Sequence, residues 1–163
     1  MLRGIPKCLS PELLKVLAEM GHGDTLILAN AFYPAASSAR HSMLVRADGV
    51  KATELLDAIL AFFPLDRSVE HPFLIMDKQA CDKDIETPIW DAYKDIVRRH
   101  DDRGDDCIGM IERFDFYKEA EHAYAVLATG EDALYGCAIL QKGTLKFVDH
   151  PPIIFSFCIV RKE

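Results

Sequence analysis

Residues 9–29 read LSPELLKVLAEMGHGDTLILA, and the order of signals within them sets the fold class. Ser10 can accept from the orphan amides of a helix start, and Pro11 stands where no intrahelical amide bond is lost. Leu13, Leu17 and Met20 share one helical face, and Gly21 suits a left-handed closing residue. Thr25 to Ala29 is then a continuous apolar run, the pattern of a strand covered on both faces. A helix followed at once by a doubly covered strand is the unit of an α/β domain.

The alternation continues outward. Met43 to Arg46 reads as a strand, Asp48-Gly49 as a turn, and Thr53 as the cap of a helix carrying Leu55, Leu56, Ile59, Leu60 and Phe63 before Pro64 stops it. Pro72 to Met76 is strand-like, and Thr87-Pro88 opens a helix through about Arg99 whose stripe is Ile89, Tyr93, Ile96 and Val97. Ile108 to Ile111, Tyr124 to Ala128 and Ala138 to Leu140 complete the strands, with a helix over Phe114 to Ala123. The expectation is a single α/β domain, a central sheet covered by helices, over residues 1–147. Residues 148–163, with Pro151-Pro152 and the run IIFSFCIV, read as a divergent apolar tail. An edge strand, a subunit contact and a poorly packing terminus stand level for it.

Composition narrows the function. A net charge of −7 argues against nucleic acid, whose phosphates need a basic face, and disfavours an anionic membrane surface. No apolar run reaches the length of a membrane span, and the first residues lack the apolar core of a signal peptide. Five cysteines, with no CxxC pair, read as free thiols in a reducing cytoplasm, and no spacing suggests a metal site. Asp101-Asp102-Arg103-Gly104-Asp105-Asp106 imitates a calcium loop, but Arg103 takes a ligand position and Arg113 the place of the closing glutamate, so a solvated loop is expected.

Chemistry concentrates at Gly21-His22-Gly23-Asp24. A histidine between two glycines has an accessible ring, and imidazole, with an ordinary pKa of about 6.5, gives and takes protons near neutrality. Local setting alone favours a plainer reading, a helix-end histidine facing the macrodipole.

Longer blocks shift that balance. Leu9 to Asp24, Arg46-Ala-Asp-Gly49, Arg113-Phe-Asp-Phe-Tyr117, Ala128-Thr-Gly-Glu131 and Tyr135-Gly136 occur in an order and spacing that resembles the fucose mutarotase and ribose pyranase family, from about residue 4 to 147. The resemblance implies an isomerase, without metal or organic cofactor, that interconverts the anomers of a monosaccharide, L-fucose first, as a cytoplasmic homo-oligomer. Within it, His22 is the general acid for the ring oxygen. Asn30, Asp66, Arg113, Tyr117, Tyr135, Gly136 and Cys137 match sugar-contacting positions, and Asp24 orients His22 or caps its turn. The alternatives are a ribose pyranase-type isomerase and a sugar-binding protein with degraded catalysis.

The second alternative arises from the Asn30 and Cys137 changes, two of three departures from the family. Asn30 stands where the family has Asp, Phe32 where it has Asn, and Cys137 where Tyr-Gly-Asn is usual. Asn30 can bond a hydroxyl but cannot act as a carboxylate base, and a thiol keeps little of an amide's bonding capacity. Spacing adds a constraint. Eight extended residues from His22 to Asn30 span roughly 26 Å, too far for one small sugar to bridge. Either the chain folds back after Ala29 or two subunits share the site.

Overall fold

The computed structural model describes residues 2–145, so the tail at 148–163 lies outside the described residues. Helix α1 (Pro11–Glu19) is capped by Ser10, whose hydroxyl accepts from the Leu13 amide at 3.1 Å. Its end differs from expectation: Met20 leaves the helix in an extended conformation, and the left-handed residue is Gly23 (φ +87°), not Gly21. The exposed carbonyls of Leu17 and Met20 are taken by the Lys142 ammonium at 2.6 Å each, a cation set on the negative end of the helix.

Strand β1 (Thr25–Ala29) follows, then a short helix α2 (Ala35–Ser38), strand β2 (Met43–Ala47) and helix α3 (Ala52–Leu60). Thr53 lies inside α3 rather than capping it; Lys51 holds the cap position with no side-chain bond. Strand β3 (Phe73–Met76), helix α4 (Pro88–His100), strand β4 (Ile108–Ile111), helix α5 (Arg113–Glu121), strand β5 (Ala125–Thr129) and strand β6 (Ala138–Gln141) complete the order. Helix α5 begins one residue earlier than its apolar pattern indicates. The Glu112 carboxylate accepts from the Phe114 and Asp115 amides and fixes Arg113 as its first residue.

The six strands form one sheet in the order β2-β5-β1-β6-β3-β4, with β6 antiparallel to both neighbours and the other adjacent pairs parallel. Both faces are covered, which is why β1 is apolar from Leu26 to Ala29 and β5 from Ala125 to Ala128 instead of alternating. Leu26 and Leu28 of β1 enter a core with α1, α3 and α4, while Ile27 and Ala29 meet Ala35 of α2 and Phe116 and Ala120 of α5. Chain leaving β1 therefore crosses one face and chain leaving β3 crosses the other. Their carboxyl ends open a crevice between them, the place where open α/β sheets bind ligands.

Asp101–Asp106 departs from the solvated loop expected of it. Asp101 is buried, and its carboxylate accepts from the Arg103 amide, Nε and Nη2 at 2.9–3.0 Å. Arg98 binds Asp105 through two nitrogens, at 2.8 and 2.6 Å. Charge density that reads as hydration is spent on pairing.

Candidate functional site

The crevice holds a cavity of about 200 Å³ lined by Asn30, Tyr33, Met76, Asp82, Arg113, Tyr117, Tyr135 and Cys137, with Phe32, Ile85 and Leu134 at its edge. Three of the lining groups arrive from strand ends. Asn30 follows β1, Arg113 follows β4, and Cys137 precedes β6. The loop joining β5 to β6 crosses over the end of β1 and is tied there: Asn30 Nδ2 donates to the Ala133 carbonyl at 3.0 Å, and the Ala31 amide to the Glu131 carbonyl at 2.7 Å.

Tyr135 sits in the left-handed region (φ 57°), a costly conformation for a side-chain-bearing residue. Three bonds hold it and its neighbour in place. Trp90 Nε1 donates to the Tyr135 carbonyl at 3.0 Å, the Tyr93 hydroxyl donates to the Gly136 carbonyl at 2.8 Å, and the Tyr135 hydroxyl donates to the Asp82 carboxylate. A Cβ on Gly136 would stand 3.0 Å from the Ala133 carbonyl oxygen and 3.1 Å from Ile89 Cδ1. Gly136 thus serves close packing behind the cavity wall and does not line it.

Opposite, Arg113 Nε donates to the Tyr117 hydroxyl at 3.1 Å and Nη1 to Gln79 Oε1 at 2.9 Å, with the guanidinium over the Tyr117 ring. Tyr33 packs against Phe116 and Tyr117, and burial pushes its phenol up to about 12. Cys137 is nearly inaccessible, its Sγ accepts from the Asn30 amide, and burial pushes its thiol up to about 12, so it faces the cavity as a neutral group.

His22, Asp24 and Asp66 lie elsewhere, at the amino-terminal end of β1. His22 is half exposed, and its Nε2 lies 3.1 Å from Asp66 Oδ2, whose side chain is 3 % exposed. Burial alone would raise the Asp66 carboxyl. The amide and hydroxyl of Ser68 and the facing His22 outweigh it and hold the group below its ordinary range. Of the two roles open for Asp24, turn capping is the one seen: its carboxylate accepts from the Gly21 amide at 2.6 Å, and Asp66 is the group against His22. The five residues of β1 put about 17 Å between this pair and Asn30. After Asn30 the chain runs on into α2, packed against α5, and does not return to His22.

The sequence reading thus separates into two constellations, and it missed Gln79, Asp82, Ile85, Met76 and Tyr33. Most of these come from residues 76–85, where acidic and basic residues between a strand and the Thr87-Pro88 helix start offer no periodicity to read. A larger concavity, about 680 Å³, lies between Leu60–Leu65, Arg67 and Leu145, but its acids Asp101 and Asp102 are bound by Arg103 and Arg67. The smaller cavity is the one that gathers polar groups available to a ligand.

Comparison with known proteins follows the same lines. The model of the RbsD / FucU transport protein family matches residues 3–145. Fucose mutarotase of Mus musculus is 48% identical over 147 residues, 88% of this chain and 95% of that protein. The crystal structure of FucU from Bifidobacterium longum has a TM-score of 0.86 at 50% identity, covering 88% of this chain and 100% of that one. Fucose mutarotase from Streptococcus pneumoniae, solved in complex with L-fucose, has a TM-score of 0.81 at 44% identity over 89% of this chain and 100% of that one.

Proposed function

As this chain belongs to the RbsD / FucU transport protein family, we propose that it is an isomerase that interconverts the anomers of L-fucose by acid–base opening of the sugar ring. The observation that carries this reading is the cavity at the strand ends. It is small, walled by aromatic rings and provided with a guanidinium, three phenols, an amide and a carboxylate. It falls below the 300–1,000 Å³ of sites for larger ligands, which suits a monosaccharide. The mutarotases at more than 40% identity, one of them holding L-fucose, support fucose over ribose.

Ring opening moves one proton onto the ring oxygen and takes one from the anomeric hydroxyl. Rotation about C1–C2 then presents the other carbonyl face before closure. In this reading Arg113, Tyr117, Tyr135 and Asn30 hold the hydroxyls, and Cys137 and Phe32 supply less polar walls. His22 is the acid. Protonated imidazole donates from both nitrogens, so Nε2 can remain on Asp66 while Nδ1 serves the ring oxygen.

His22 is too far from its own cavity for that task, so the His22–Asp66 pair completes the cavity of a second copy, and the working unit is a homo-oligomer. The free thiols of Cys8, Cys81, Cys107 and Cys137 suit a reducing cytoplasm. Saturation-transfer NMR across L-fucose, D-ribose and D-galactose tests the function. Faster anomer exchange for fucose than for the other two is expected, and no acceleration on any of them contradicts the reading.

A further inference from the structure

Two of the three phenols of the cavity, Tyr117 and Tyr135, have opposite polarity. Tyr117 Oη already accepts from Arg113 Nε at 3.1 Å, so its own proton is left to donate. Tyr135 is the reverse. A carboxylate can only accept, so the Tyr135 proton is committed to Asp82, and the Gln79 amide approaches the same oxygen at 3.4 Å. What Tyr135 can still offer a ligand is a lone pair, and it therefore takes a hydroxyl that donates. Asp82 is the one carboxylate among the described residues that line the cavity. Asn30, at the end of β1, cannot replace it, because its Nδ2 is spent on Ala133 and an amide does not take up a proton.

We propose that Asp82 is the proton acceptor of the site, working through Tyr135. This rests on the sugar-isomerase reading above. The anomeric O–H of the sugar donates to Tyr135 Oη. As C1–O5 breaks and C1=O1 forms, the anomeric proton passes to Tyr135 Oη while the phenolic proton passes to Asp82. Tyr135 ends as it began, Asp82 is neutral, and the ring oxygen has gained its proton from the acid. Closure runs the same transfers backwards from either face of the aldehyde, so both groups are restored and no oxidant or reductant is needed. Burial, and after it the bond to Asp82, pushes the Tyr135 phenol up, in keeping with a group that relays a proton without resting as phenolate.

Asp82 enters only through Tyr135, so its test must separate proton transfer from positioning. Asp82→Asn keeps an oxygen that accepts from Tyr135 but takes up no proton, and Asp82→Glu restores the carboxylate. Anomer-exchange kcat and KM on L-fucose are measured for wild type and both variants. The expected result is a fall in kcat of about 10²-fold or more for Asp82→Asn, with KM within about threefold, and recovery of at least a tenth of wild-type kcat in Asp82→Glu. Asp82→Asn turning over at more than about a third of the wild-type rate overturns the assignment while leaving the isomerase reading standing. So does a loss seen mainly in KM, and so does an equal loss in both variants. A wild-type protein that exchanges no anomer of any sugar overturns both.

Discussion

Asp66 shows how one carboxylate can be both structural and poised for chemistry. It is almost fully covered, it accepts from Ser68 twice, and it faces His22. Its carboxyl is held below the ordinary value, so the folded chain binds that proton less readily than the unfolded one. The stability it adds is therefore complete above the unfolded carboxyl value of about 3.9 and is lost as pH falls through the lower folded value. Asp66→Asn should melt lower than wild type at neutral pH, and the gap should shrink below about pH 3.9; thermal melts across pH check this, and a gap that stays constant into strong acid contradicts it. Asn30 makes a contrasting case. Its amide donor holds the Ala133 carbonyl, so Asn30→Asp would turn a carboxylate toward that carbonyl. The expected cost is about 1–3 kcal/mol in urea denaturation, without a gain in anomer exchange. The sequence identifies Asn30 as a departure from its relatives, but it cannot show that the amide ties down a loop, because Ala133 lies 103 residues away.

Elements with a strong period were legible; those built by tertiary contact were not. The apolar strands β1 and β4 fall within the bounds that the pattern marks, and α1 and α4 begin at their Ser-Pro and Thr-Pro starts. Helix α2, of four residues, and the turn at Ala80–Asp82 carry too few residues for any period, yet the second supplies the cavity with its acid. The loop from β5 to β6 is likewise fixed by close approach more than by turn signals. Gly130 is its tightest point: a Cβ there would stand 2.2 Å from the Asp48 carbonyl oxygen, backbone against backbone. Gly130→Ala should therefore destabilise the fold by about 1–3 kcal/mol and loosen Tyr135 with the loop. Chemical denaturation measures the first effect and a raised KM for sugar reports the second. Unchanged values for both would mean that the loop takes its shape elsewhere.

At the scale of the molecule, fold class followed from composition and alternation, whereas the division of the site did not follow from sequence alone. Extended spacing between His22 and Asn30 left two arrangements open. The fold removes the intrachain one, since β1 runs straight between them and the chain then turns away toward α2. The central claim is that the His22–Asp66 pair of one copy works on the cavity of another. Mixing two inactive variants tests it most directly. His22→Ala keeps an intact cavity, and Arg113→Ala keeps an intact His22. Neither should catalyse anomer exchange alone, each at least about 10²-fold below wild type. Co-expressed in equal amounts, they should assemble oligomers in which about a quarter of the sites combine both native halves, and exchange should return to about that fraction of the wild-type rate. Mixed oligomers that remain inactive, or a wild-type monomer with full activity in analytical ultracentrifugation, would contradict a site shared between copies.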